Sequence, residues 1–217
     1  MRGSGVVLGG LVVSSFLLLA SSGTQAFVIT GSIVRLSGGT SVDYIYFSVN
    51  SYGRVTIDTK SWERDSEDRF NGNGITDEFV DVNGDGEIAF FNTAIYLFRD
   101  DGSLDAADLI ASNDNSTRTY GDGSISKNDA YLSRVLAPGN YVLAIGAANF
   151  TLSEALSGFN AGSFYPVGEN FARIGHGDYQ VTISGDVTPG VIPEPTTVLL
   201  MSIGVSGFVF RALFRKR

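Results

Sequence analysis

The chain predicts an all-β fold, a β-sandwich or jelly roll, on three observations. Short segments alternate apolar and polar side chains: in Asp43–Asn50, Ile45, Phe47 and Val49 share one face, with Tyr44, Tyr46 and Ser48 on the other. Gly-, Pro- and Asn-bearing turns punctuate these segments, as at Ala137-Pro138-Gly139-Asn140. No long stretch between residues 27 and 186 repeats its apolar residues at the helical period of 3.6.

Taken in order, the chain opens with Arg2, the uncharged run Val6–Ala20 and then Ser-Ser-Gly-Thr-Gln-Ala. This is the charged, apolar and small-residue order of a secretory signal peptide, expected at 1–26 with cleavage after Ala26, or after Ala20 as the second choice. A first strand is expected at Phe27–Leu36. Asp43–Asn50 and Arg54–Thr59 read as a hairpin through Ser51-Tyr52-Gly53. Thr93–Phe98 is apolar on both faces, hence a central strand. Ala130–Leu136 and Tyr141–Gly146 read as a second hairpin, and Asp178–Ile183 closes the fold with Tyr179, Val181 and Ile183 inward. Thr151-Leu-Ser-Glu154 is a capping-box pattern that predicts one short helix to Leu156. One sandwich domain over 27–186 follows, with a long acidic insertion at 61–92 and a second long connection at 158–177.

Residues 187–192 read as a linker into the tail. There Pro193-Glu194-Pro195 precedes the uncharged run Thr196–Phe210 and a basic end with Arg211, Arg215, Lys216 and Arg217. The uncharged run is 15 residues, or 18 if Arg211 snorkels. That predicts a short membrane helix whose basic end stays cytoplasmic.

Between Phe27 and Ile192 there are 10 basic and 22 acidic residues, a net charge of −12. Such a surface excludes nucleic acid and anionic lipid headgroups as partners and suits cations or solvent. The chain has no cysteine, so disulfides, thiol catalysis and Cys-ligated zinc are all excluded. Its one histidine, His176, sits between two glycines and is expected on a loop surface; no Gly-x-Ser-x-Gly elbow accompanies it.

Ten carboxylates and only three cations lie between Asp58 and Glu87. Inside this window stands Asp81-Val-Asn83-Gly-Asp85-Gly-Glu87-Ile88. It matches the first eight positions of a calcium loop: side-chain oxygens at 1, 3 and 5, glycine at 6, a backbone carbonyl at 7, an apolar residue at 8. Every candidate donor is oxygen, which favours Ca²⁺ over zinc. Position 12 is Asn92 rather than glutamate and the flanks are not paired helices. The ligands Asp81, Asn83, Asp85 and Glu87 therefore need completing from elsewhere, with Asp77 and Glu78 as the nearest candidates. The alternative is an Asx-rich turn that holds no metal. A weaker second set comprises Asp100, Asn113, Asp114 and Asp129. Trp62, Tyr120, Phe159, Phe164 and Tyr165 fall in expected loops, where they either pack or stack on sugars.

The order Pro193-Glu194-Pro195, apolar span and basic end resembles the PEP-CTERM sorting signal over 193–217. That resemblance implies export by the Sec translocon and transient anchoring in the inner membrane. An exosortase then cuts near Pro193, Glu194 and Pro195 and delivers the body to the cell envelope or extracellular matrix. The order Asp43-Tyr-Ile-Tyr-Phe, Gly53-Arg-Val-Thr-Ile, Ile95-Tyr-Leu-Phe, Ser112-Asn-Asp, Leu136-Ala-Pro-Gly-Asn-Tyr-Val-Leu is similar to the bacterial pre-peptidase C-terminal domain. That family implies a β-sandwich, often calcium-bound; the insertion at 61–92 departs from its short form. No peptidase domain is attached, so a protease-accessory role does not carry over. The expected protein is a non-catalytic, calcium-stabilised structural or binding module, with a carbohydrate-binding module of the exopolysaccharide matrix as the alternative.

Overall fold

The computed structural model describes residues 25–62, 80–116, 126, 128–162 and 165–190. The predicted signal and membrane helices lie outside them, as do Asp77 and Glu78. No helix among the described residues is long and apolar enough to cross a membrane.

Thirteen strands are described: β1 (Gln25–Leu36), β2 (Gly39–Ser41), β3 (Asp43–Val49), β4 (Gly53–Lys60), β5 (Ala89–Phe90), β6 (Thr93–Asp100), β7 (Leu109–Asn113), β8 (Tyr131–Leu136), β9 (Gly139–Ala147), β10 (Phe159–Asn160), β11 (Val167–Gly168), β12 (His176–Gly185) and β13 (Val187–Pro189). One sheet runs β10-β2-β1-β12-β4-β8 and the other β13-β3-β9-β6-β7; β11 and β5 form a small separate ribbon. All the pairings are antiparallel.

The alternating residues do what their pattern dictates. Ile45, Phe47 and Val49 from one sheet meet Val55, Ile57, Val181 and Ile183 from the other in one buried core. The expected hairpins do not form, however. β3 pairs with β9 while its successor β4 pairs with β12 and β8. β8 likewise joins β4, and β9 joins β3 and β6. Each tight turn carries the chain from one sheet to the other. Facing apolar stripes are buried either way, and only the sandwich decides whether two strands lie side by side or face to face.

The second crossing is held by Tyr141, whose hydroxyl donates to the Ala137 carbonyl at 2.6 Å across the Pro138-Gly139 turn. Its ring stacks on Phe47 with centroids 5.6 Å apart. β6 is central, as expected, and so is β9. The second face of that sheet is covered by α1 (Leu152–Ser157), and Val42, Phe98, Ala144, Phe150 and Ala155 form a smaller core there. Thr151 and Glu154 form the predicted capping box, and Gly158 ends the helix at φ 75°. Val187–Pro189, expected as linker, is instead paired with β3, and Val187 is buried. The sandwich therefore extends to Gly190, whose N–H donates to the Tyr46 carbonyl.

Candidate metal centre

The acidic insertion leaves and rejoins the sandwich through a buried polar neck. Ser61 donates its hydroxyl to the Asp178 carbonyl at 2.6 Å and accepts the Phe91 N–H at 3.1 Å. Asp129 accepts the backbone N–H groups of Ser61 and Trp62. Beside it, the Thr59 and Thr93 hydroxyls meet at 2.6 Å and both accept the Ala130 N–H. Ser61 thus ties both ends of the insertion to β12.

Residues Asp81–Glu87 form a tight loop built by its own side chains. The Asp81 carboxylate accepts the N–H groups of Gly84 at 2.6 Å and Gly86 at 2.9 Å. Asn83 accepts from the Asp85 N–H, and Asp85 from the Glu87 N–H. Gly84 and Gly86 adopt φ of 79° and 91°, the left-handed region that an L side chain rarely enters. These turns bring the side chains at positions 1, 3 and 5 to one side.

That side lies against the outer face of β12. There the outward residues His176 and Asp178 alternate with Tyr179 and Val181 of the main core. Asn83 donates to Asp85 Oδ2 at 2.9 Å and to the Ser32 hydroxyl at 3.3 Å. Ser32, which is opposite Asp178 in the β1–β12 register, donates to Asp178 Oδ1 at 2.7 Å. His176 Nε2 stands 3.8 Å from Asp85, 3.5 Å from Glu87 and 3.6 Å from Asp178. One ligand atom each from Asp85, His176 and Asp178 falls within a 4.8 Å radius of the others.

Two atoms there are buried without a hydrogen bond, Asp178 Oδ2 and His176 Nε2. Asp178 is 1% exposed. Burial pushes its carboxyl above the ordinary value; the Ser32 and His176 contacts pull it down, while Asp85 and Asp81 add to the rise. Asp85 is held below the ordinary value by the Glu87 N–H and the Asn83 amide. A buried carboxylate with one oxygen lacking a donor, and with other carboxylates near, is costly unless a cation satisfies it. The oxygen-rich donor set and the glycine-supported turn fit such an ion.

Placement of the expected ligands is therefore mixed. Asp81, Asn83, Asp85 and Glu87 come together; Asp77 and Glu78 lie outside the described residues. Asp178, His176 and Ser32 were not anticipated. His176, expected on a loop surface, begins β12 and projects its Nε2 into the cluster. The only sequence signal was the outward spacing of His176 and Asp178 on an alternating strand, which does not say what covers that face.

The second set is not one cluster. Asn113 is paired with Ile95 near the start of β6, whereas Asp100 ends that strand, about 17 Å away at the usual rise. Asp100 accepts the Gly102 N–H, Asp114 accepts from Asn115, and Asp129 belongs to the neck. Of the loop aromatics, Trp62 packs edge-on against Phe90 and Phe171, and Tyr165 lies between the guanidinium groups of Arg35 and Arg173. Phe159 lies on β10, and Tyr120 and Phe164 lie outside the described residues.

Beyond β13 the chain enters residues that comparison with known families resolves. Residues 191–216 match the PEP-CTERM protein-sorting motif. The motif contains Pro193, Glu194 and Pro195, and implies export with processing by exosortase at the membrane. Ahead of the sorting motif, the body is similar to the pre-peptidase C-terminal domain of a collagenase from Bacillus anthracis, solved by crystallography. Identity is 13%, coverage is 72% of this chain and 87% of that one, and the TM-score is 0.35. The sandwich itself is read from the strand pairing described above. No curated protein matches the chain.

Proposed function

We propose that this is an exported, exosortase-processed protein of the cell envelope or extracellular matrix whose β-sandwich is a cation-stabilised structural or binding module without catalytic activity. The sorting motif supports the export and processing. The observation that carries the cation is the docking of Asp81–Glu87 onto Asp178, whose buried Oδ2 lacks a donor. Asp81, Asn83, Asp85, the Glu87 carbonyl and Asp178 would hold the ion, and Ca²⁺ suits their oxygen majority. The bound ion neutralises the converging carboxylates and clamps the insertion against the sheet.

Calorimetric titration with Ca²⁺, paired with thermal melts with and without EDTA, tests this. The expected result is saturable binding with a raised melting temperature, both lost in Asp85→Ala. Unchanged melts and affinity in that variant would remove the site.

A carbohydrate-binding module of the exopolysaccharide matrix is the second reading. It is favoured by Phe171, which is 41% exposed beside Trp62 and Phe90 and has a φ of 61°, a strained conformation of the kind that clusters at ligand sites. Glycan-array binding abolished by Phe171→Ala or Trp62→Ala would support it. The edge-on packing of Trp62 against Phe90 argues against an open sugar platform at that ring.

A further inference from the structure

We infer that the site formed by Asp81–Glu87 and β12 is a mixed oxygen–nitrogen centre, in which His176 Nε2 is a direct ligand and a first-row transition dication such as Mn²⁺ or Zn²⁺ binds more tightly than Ca²⁺. This rests on the cation reading above and goes beyond it in naming the ion class and the nitrogen ligand.

Three observations place Nε2 in the first coordination sphere. It faces three carboxylates at 3.5–3.8 Å, too long for a hydrogen bond to any of them. Those separations approach the ~3.3–3.6 Å between ligand atoms on a tetrahedral ion with bonds near 2.0–2.2 Å. The atom is also buried and makes no hydrogen bond to the protein. Asp178, whose Oδ1 lies 3.6 Å from Nε2, also carries an Oδ2 that is buried without a partner. A single ion held by Nε2 and the Asp178 carboxylate would satisfy the imidazole nitrogen and neutralise the buried charge.

The ligand types then decide the ion. Calcium takes oxygen ligands almost exclusively. Imidazole suits the later first-row dications, and carboxylates accept manganese as readily as calcium. Adding one imidazole to a set of carboxylates shifts preference away from Ca²⁺. The chain offers no cysteine to pull it further toward a thiolate site, and His176 is its only imidazole.

The sole histidine makes the test direct. Full-length chain, prepared in detergent without a histidine tag, is titrated with Mn²⁺, Zn²⁺ and Ca²⁺ separately. The Mn²⁺ complex is then examined by pulsed EPR for nitrogen coupling. The expected result is binding of Mn²⁺ or Zn²⁺ at least about tenfold tighter than Ca²⁺, with an imidazole nitrogen coupled to the manganese. In His176→Gln the coupling disappears and Mn²⁺ or Zn²⁺ affinity falls about tenfold or more, the scale seen for ligand-shell losses, while Ca²⁺ affinity stays within about twofold. Ca²⁺ binding as tight or tighter, with no nitrogen coupling in the unaltered chain, overturns the nitrogen ligand and leaves the calcium module standing. Failure of every ion to bind in a manner sensitive to Asp178→Asn overturns both. The wild-type spectrum decides even if His176→Gln does not fold.

Discussion

Asp178 shows how one buried side chain acquires opposite values in two states. Without an ion it is a carboxyl out of water, pressed by Asp85 and Asp81. Asp178→Asn should therefore leave the EDTA-treated protein as stable or slightly more stable, yet abolish the ion-linked rise. A site held at a hundred times its Kd gains about 2.7 kcal/mol, so the two melting curves of the variant should coincide where those of the parent separate. A variant equally destabilised in both conditions would make Asp178 a packing residue only. Asp43 makes a related point away from the site. Burial raises its carboxyl and the Tyr179 hydroxyl, donating at 2.9 Å, partly offsets this. The folded state holds that proton more tightly than the unfolded chain. The stability it contributes is full below the ordinary carboxylate value and declines as pH rises through the raised one. Denaturant titrations between pH 3.5 and 7 should show this slope, and Asp43→Asn should flatten it.

Elements carry the next set of expectations. The capping box of α1 works with the opposite sign. Burial disfavours the Glu154 charge, but bonds from the Thr151 N–H and hydroxyl and the Ala161 N–H outweigh it and hold the carboxyl below its ordinary value. Its contribution is present above the unfolded value and is lost as pH falls through the lowered one. Glu154→Gln should lose that acid-limb dependence at a cost of about 0.3–1 kcal/mol at neutral pH, read from denaturant midpoints. In the insertion's neck, Ser61→Ala leaves the Phe91 N–H without its buried acceptor. A loss of about 1–3 kcal/mol is expected, together with weaker ion binding, because the same hydroxyl positions the insertion over Asp178. Stability lost with ion affinity unchanged would uncouple neck from site. The helix and its cap were legible from Thr151-Leu-Ser-Glu154, since a capping box is a local contract among four residues. The two hairpins were not. Ser51-Tyr52-Gly53 and Pro138-Gly139 specify a reversal, and a reversal serves a crossing between sheets as well as a hairpin within one.

For the whole molecule, the sandwich and the tail are separate instructions on one chain. Replacing Pro193, Glu194 and Pro195 by alanine should leave the melting of the body unchanged, because the main core is built from residues ahead of them. Uncut precursor should then accumulate in the membrane fraction, as immunoblots would show; normal processing would detach the motif from its implied role. By itself the sequence determined the all-β class, the inward faces, the helix cap, the Asp81–Glu87 loop and the sorting motif. Each of these is written in residues a few positions apart, through strand alternation, capping and Asx turns, or consecutive order. Tertiary structure alone decided which strands are neighbours and that β13 belongs to the sheet. It also decided that the loop at 81–87 lands on Ser32, His176 and Asp178, roughly 50 residues before it and 90 after. Those contacts form because two sheets closing around one apolar core fix which outer face the insertion can reach, and no local pattern encodes that.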